Sequence, residues 1–220
     1  MKNQNTPIAT EGYPFITGFA ALTAITALPA WKLGSTVLSG ISTLFALLTL
    51  FTMYFFRNPE RTPPADERAL VAPADGTVIV VDRVPQTPLG CEALKISIFM
   101  SVFNVHVNRV PFSGRVVAAS HTPGKFFDAR DERASCENER NTLVLETARG
   151  VRLAFVQIAG LIARRIISYP KVGDELERGK RYGLIRFGSR VDVYLPPETQ
   201  ALVKLGDKTV SGETVLARLA

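Results

Sequence analysis

Histidine, cysteine and tryptophan are scarce in this chain: two, two and one among 220 residues. His106 and His121 cannot build a His-rich metal site, so the reading is no metal. Cys91 and Cys136 cannot make a disulfide framework and form no Cys-x-x-Cys pair, so they read as free thiols in a reducing compartment. HExxH, the P-loop and GxGxxG are all missing. Charge is missing over two long stretches. Twenty uncharged residues separate Glu11 from Lys32, and twenty-four separate Lys32 from Arg57.

What is present excludes a disordered or fibrous chain, since 46% of residues are hydrophobic and 21% charged. The length suits one domain with an appendage and leaves no room for two catalytic domains. Residues 57–220 hold 24 basic and 19 acidic residues, nearly all of the net charge of +6. A basic body beside a hydrophobic segment points to an anionic membrane surface rather than nucleic acid.

The uncharged stretches predict two helices, about Tyr13 to Trp31 and Leu33 to Phe56, each near the roughly 20 residues that span hydrocarbon. A turn containing Pro29, Trp31, Lys32 and Gly34 is expected between them. Trp31 and Tyr54 suit interfacial positions, and Arg57, Arg61 and Arg68 favour a hairpin with both ends cytoplasmic, either spanning the bilayer or embedded in one leaflet. A cleaved signal peptide fits less well, because the apolar stretch exceeds a usual h-region. The expected organisation is a membrane hairpin over 1–56, a proline-punctuated linker over 57–66 and a catalytic domain over 67–220.

Beyond Leu70 the pattern is that of strands: Thr77 to Val84, Ala93 to Val102, Arg115 to Ala119, Thr142 to Thr147, Arg152 to Ile158 and Arg190 to Leu195. Leu161 to Ser168 suits helix or strand equally. Lys171-Val172-Gly173-Asp174-Glu175 with Gly179 recurs 33 residues later as Lys204-Leu205-Gly206-Asp207-Lys208 with Gly212. Such turn-strand-turn units resemble the hammerhead units of biotinyl and lipoyl carrier domains. The expected fold class is therefore α+β, predominantly β, with a compact barrel-sandwich-like body; strand-helix alternation for a doubly wound sheet is missing.

Candidate chemistry is confined to Asp75 in Pro73-Ala74-Asp75-Gly76, His106 in Phe103-Asn104-Val105-His106-Val107-Asn108-Arg109, and serines following glycine. Singly, each has an ordinary structural account: a turn, a packed histidine, a loop. Together they belong to an ordered set: Phe55-Phe56-Arg57-Asn58-Pro59-Glu60-Arg61, Pro73 to Gly76, Phe99 to Pro111, Pro123-Gly124-Lys125-Phe126, Asn138-Glu139-Arg140-Asn141, and Arg186-Phe187-Gly188-Ser189-Arg190-Val191-Asp192. This set resembles the short bacterial branch of the phosphatidylserine decarboxylase proenzymes from about residue 55 to the C-terminus.

The resemblance implies a self-processing carboxy-lyase that makes its pyruvoyl cofactor from its own backbone and converts phosphatidylserine to phosphatidylethanolamine and CO2. Ser189 would attack the Gly188 carbonyl, giving a large chain of 1–188 and a small chain of 189–220 that begins with the pyruvoyl group and forms a Schiff base with substrate. His106 is the natural base and Asp75 its orienter. Phe187 and the apolar residues after Ser189 would fix the turn on a strand. His121, Lys125, Arg109 and Arg140 are candidates for the substrate head group, arginine suiting phosphate.

The implied partners are a membrane phospholipid and the two chains of one proenzyme, with a homo-oligomer left open. Arg109 stands where the longer branch has a second histidine. Leu33-Gly34-Ser35-Thr36 matches that branch's cleavage string but lies in the hairpin turn, and reads as coincidence.

Three rival readings carry less. A lysostaphin-like zinc peptidase needs a His-x-His pair, and His106-Val107-Asn108 lacks it. A carrier needs its modified lysine in a flanked hairpin turn, which is missing. Decarboxylation of an archaeal-type ether-linked serine phospholipid keeps the chemistry and changes only the lipid.

Overall fold

The computed structural model describes residues 4–161, 165–186 and 188–219, and the chain divides into two units, 5–59 and a body from residue 60 that also takes in Gln4.

In the first unit α1 (Tyr13–Leu33) and α2 (Thr36–Phe55) form the hairpin. Both are long and apolar enough to cross a membrane. Their hydroxyls do not demand water, because Thr17, Thr23, Thr26, Thr43, Thr49 and Thr52 each donate to the carbonyl four residues back, and Ser42 reaches across to Thr23 O. Pro29 lies inside α1, contrary to the expected turn; the connection is only Gly34-Ser35. Ser35 caps α2 by accepting from Leu38 N, which accounts for a serine in the Leu-Gly-Ser-Thr string. The segment before α1 is tied to the end of α2 through Ala9 N to Phe56 O and Asn58 N to Pro7 O, both 2.8 Å.

The described residues of the body form thirteen strands and one short helix. They are β1 (Ala69–Val71), β2 (Gly76–Val84), β3 (Ala93–Met100), β4 (Val107–Arg109), β5 (Gly114–Thr122), α3 (Ala134–Glu137), β6 (Arg140–Glu146), β7 (Arg152–Ala159), β8 (Ile166–Ser168), β9 (Glu175–Leu176), β10 (Arg181–Ile185), β11 (Ser189–Leu195), β12 (Lys208–Thr209) and β13 (Val215–Arg218). Eight form a curled antiparallel sheet in the order β12-β2-β3-β11-β7-β6-β5-β9, a half-barrel that bears out the predominantly β fold class with its helical hairpin. The smaller sheets are β4-β10-β8 and β1-β13.

Strand alternation decides the packing. Ile96, Ile98 and Met100 of β3, Leu153 and Phe155 of β7, and Val191, Val193 and Leu195 of β11 face the main core. Ala154, Val156, Ile158 and Tyr194 face the other way, under Ala134 of α3. The ambiguous stretch after Leu161 resolves in part as β8, with residues 162–164 outside the described set.

The echo at 33 residues is a duplication in space. Lys171 N donates to Asp174 Oδ2 and Lys204 N to Asp207 Oδ2, each at 2.9 Å. Gly173 N bonds Val116 O and Gly206 N bonds Val78 O; Gly179 N bonds Val110 O and Gly212 N bonds Ala72 O. The partner strings are themselves related at 38 residues, Ala72-Pro73-Ala74-Asp75-Gly76-Thr77-Val78 matching Val110-Pro111-Phe112-Ser113-Gly114-Arg115-Val116. Val71 N donates to Pro111 O and Arg109 N to Pro73 O, both 2.9 Å. Such reciprocal bonds place a pseudo-two-fold axis between the two copies. The 60–66 segment runs along the body: Arg61 meets Asp75 and Glu213, Glu60 meets Arg181, and Arg178 donates to Pro64 O.

Candidate active site

The chain leaves β10 at Ile185 and enters β11 at Ser189, so Gly188-Ser189 lies where the small sheet hands over to the large one. Gly188 has φ +69°, a left-handed conformation that costs a side-chain-bearing residue but not glycine. Ser189 is wholly buried, opposite Met100 of β3 and Ala159 of β7. Its Oγ lies 3.4 Å from Met100 Sδ, a weak bond that is cheap to give up. Phe187 lies outside the described residues.

The Gly188 carbonyl owes its place to Gly160. A Cβ on Gly160 would stand 2.5 Å from Gly188 O and 3.3 Å from Ala129 Cβ. A mostly apolar cavity of about 220 Å3 opens beside it, lined by Phe99, Ser101, Val102, Asp128, Ala129, Gly160, Leu161 and Gly188. Its Asp128–Ala129 wall belongs to a loop pinned from two sides. The side chain of Asn138, itself buried, bonds Phe127 N, Phe127 O and Ala159 O. Arg190, next in sequence to Ser189, donates to the Ala129 carbonyl at 2.9 Å and pairs with Asp192, which also meets Lys95 at 3.3 Å. Burial and the Asp192 charge push the neighbouring Tyr194 hydroxyl well above its usual pKa.

His106 is brought to this corner. Its carbonyl accepts from Ile185 N at 3.4 Å, so it lies beside the end of β10, four residues before Ser189. The imidazole is buried with Nδ1 2.9 Å from Asn104 O. A carbonyl only accepts, so Nδ1 carries the proton and Nε2 is the basic nitrogen.

Asp75 immediately precedes β2, and it accepts from Ser211 N at 2.7 Å and from Arg61 at 3.2 Å. His106 Nδ1 meets the Asn104 carbonyl, and an orienting role for Asp75 remains a proposal. The duplication explains part of Asp75: its counterpart Ser113 accepts from Arg178 N, the counterpart of Ser211 N, at 3.0 Å. The turn latch needs only an oxygen; the charge facing Arg61 is particular to Asp75.

The four head-group candidates do not gather at Gly188. Arg109 sits at the far end of β4 from His106, opposite Arg181, donating to Gly179 O at 2.7 Å. Burial, with Arg181 and Arg61 nearby, lowers its pKa to about 10. His121 is exposed on β5, and exposed Lys125 pairs with Glu137 at 2.8 Å. Arg140 donates to Cys136 O and lines a groove of about 860 Å3 that also takes in Arg190 and Tyr194, the side chains of β11 that face away from the Val191–Val193 core. Among the described residues no cluster of three or more His, Cys, Asp or Glu suits a metal.

Gly160 and Lys95 escaped the sequence reading, while Asn104, Asn138, Arg190 and Asp192 stood within the ordered motifs without a role. The Arg190–Asp192 pair had a physical signal as well: opposite charges two apart on one strand face can pair with each other rather than face water.

A family model described as phosphatidylserine decarboxylase matches residues 48–217. Proteins named phosphatidylserine decarboxylase proenzyme are similar over the full length of both chains: 79% identical in Pelobacter propionicus, 61% in Citrifermentans bemidjiense and 59% in Geotalea uraniireducens. Coverage of both partners from end to end, at these identities, shows that the chain belongs to the phosphatidylserine decarboxylase family.

Proposed function

We propose that this chain is a self-processing carboxy-lyase that converts phosphatidylserine to phosphatidylethanolamine and CO2, and that it matures by cutting itself between Gly188 and Ser189. The observation that carries this reading is the left-handed Gly188, its carbonyl against Gly160, followed by the buried Ser189, together with a buried histidine held near the end of β10 whose Nδ1 meets a carbonyl, so that Nε2 is its basic nitrogen. Ser189 Oγ attacks the Gly188 carbonyl carbon while His106 takes the hydroxyl proton. The C–N bond breaks, leaving an ester and the amine of residue 189. Loss of the residue 189 α-proton expels the Gly188 carboxylate and leaves dehydroalanine, and one water replaces its nitrogen, released as ammonia.

The residues at the junction suit the pyruvoyl group this produces: residue 189 stays between β3 and β7, and the adjacent cavity gives an amine access. That group supplies a carbonyl that takes up the substrate amine and an electron sink as CO2 departs. The Arg190–Asp192 network holds the wall of the cavity, and His106 is placed to return a proton to carbon. The lining of the cavity is mostly apolar, which favours neutral reacting groups over charged ones there.

The α1–α2 hairpin holds the body at the cytoplasmic leaflet, where Arg57 and further basic residues gain from anionic lipid. The test is release of labelled CO2 from carboxyl-labelled phosphatidylserine in detergent: wild type releases it and Ser189→Ala does not. Equal release from both would overturn the assignment of Ser189.

A further inference from the structure

The described part of the body exposes five large apolar side chains: Phe103, Leu161, Val172, Leu202 and Leu205. Val172 and Leu205 fill the same place in the two duplicated turns, so local geometry accounts for them. Phe103 and Leu161, 65% and 67% exposed, are different, because Leu161 lines the cavity at Gly188 and Phe103 follows directly on a residue that does. Leu161 lines it, and so does Val102, beside Phe103.

Phe103 is held outward by a stiff turn. Asn104 N donates to Ser101 O at 3.0 Å, and Asn104 Oδ1 accepts from both Ser101 N and Ser101 Oγ, at 2.9 and 2.8 Å. The Asn104 carbonyl in turn meets His106 Nδ1. The same short segment thus fixes an apolar tip and the candidate base.

The substrate's own dimensions say what faces this tip. In a serine phospholipid the amine is four bonds from phosphorus, a tether of about 5 Å with bonds near 1.5 Å. If the acyl chains remain in the bilayer while the amine reaches residue 189, the mouth of the cavity has to meet the membrane at head-group depth. Its rim then lies against the glycerol and acyl border, where an aromatic ring and a leucine gain by leaving water. A water-soluble amino acid would require no such rim.

We propose that Phe103 and Leu161 form an apolar rim that beds into the surface of a phospholipid bilayer and sets the depth at which a head group enters the cavity. This rests on the reading of residue 189 as the reaction centre.

The test uses the full chain with two substrates: phosphatidylserine in phosphatidylcholine vesicles, and a water-soluble short-chain phosphatidylserine. Phe103→Ser should still mature into two chains and turn over the short-chain lipid like wild type, while its apparent KM on vesicles rises about tenfold. Phe103→Trp, made with Trp31→Phe so that it carries the only indole, should keep wild-type vesicle kinetics, and its emission should be quenched by brominated acyl chains. Wild-type vesicle kinetics for Phe103→Ser, a parallel loss on both substrates, or an unquenched Phe103→Trp would overturn the rim. If Phe103→Ser fails to fold, the quenching result decides alone. A wild-type chain that stays single and inactive on the short-chain lipid would instead overturn the reading of Ser189, and it needs no vesicle to be seen.

Discussion

Replacing Gly160 by alanine should damage maturation far more than stability. The new Cβ would lie 2.5 Å from Gly188 O and 3.1 Å from Gly188 C, roughly 0.9 Å inside ordinary contact. Both partners are backbone, so no side chain can swing away, and Ala129 closes another side at 3.3 Å. The Gly188 carbonyl must therefore shift by nearly an ångström. Overpacking of this kind costs about 1–3 kcal/mol, and for a body of this size each kcal/mol lowers Tm by about 2–4 °C. The same displacement at a reacting carbonyl costs about 100-fold in rate. Conversion of one chain into two, followed on a denaturing gel after a synthesis pulse, gives the maturation rate; a melting curve gives Tm. Gly150→Ala is the control, since Gly150 has φ +76° in the β6–β7 turn with no atom within 4 Å of a Cβ, and it should lose about 1 kcal/mol and mature normally. Equal maturation rates in the two variants would refute the claim that Gly160 positions the scissile carbonyl.

Further outcomes follow from the same contacts. His106→Ala should slow or stop self-cleavage, whereas His121→Ala, on the exposed face of β5, should leave it unchanged. Asp75→Asn keeps an oxygen for Ser211 N and so should hold the turn, with Tm within a few degrees of wild type, while losing the charge that faces Arg61 and slowing maturation; an unchanged rate would leave Asp75 a turn latch only. Arg190→Gln takes one of two positive partners from the fully buried Asp192, leaving Lys95 and the long bond from the Tyr194 hydroxyl, and should cost about 3–5 kcal/mol by denaturant unfolding; the double variant Arg190→Gln, Asp192→Asn should recover much of that. Glu60 has its pKa held below the usual 4.5 by the hydrogen bond from Arg181. A depressed carboxylate stabilises the fold above its unfolded pKa, so this contribution is present from about pH 5 upward and fades as pH falls below 4.5. Arg181→Gln should shrink that acid-side slope of Tm against pH.

The legible parts of the molecule were those whose physics is local. Two runs without charge announce α1 and α2, and β-branched alternation announces β2, β3 and β11. Pro29 misled because proline reads as a breaker, yet a long apolar helix tolerates the missing bond. The two-residue strands β9 and β12 carry no periodicity; they exist because the duplicated turns present Leu176 and Thr209 to Gly114 and Gly76. Gly188-Ser189 and His106 could be picked out through the ordered motifs, but Gly160 could not, since its role is a contact with a residue 28 positions away. The partner of His106 Nδ1 is a backbone carbonyl, which every residue has and no sequence marks. The head-group candidates were chosen by charge alone, and charge does not say which face of a strand a side chain takes: Arg140 turned to the groove and Arg109 to a buried cluster with Arg181.

The most direct test of the central claim is the intact mass of the purified protein. Two species are predicted, one of residues 1–188 ending in a free carboxylate and one of residues 189–220 lighter by one ammonia than the unmodified peptide, the sign that Ser189 has become a pyruvoyl group. A single species with the mass of the uncut 220-residue chain, or a small chain that keeps an intact serine at its start, would contradict it.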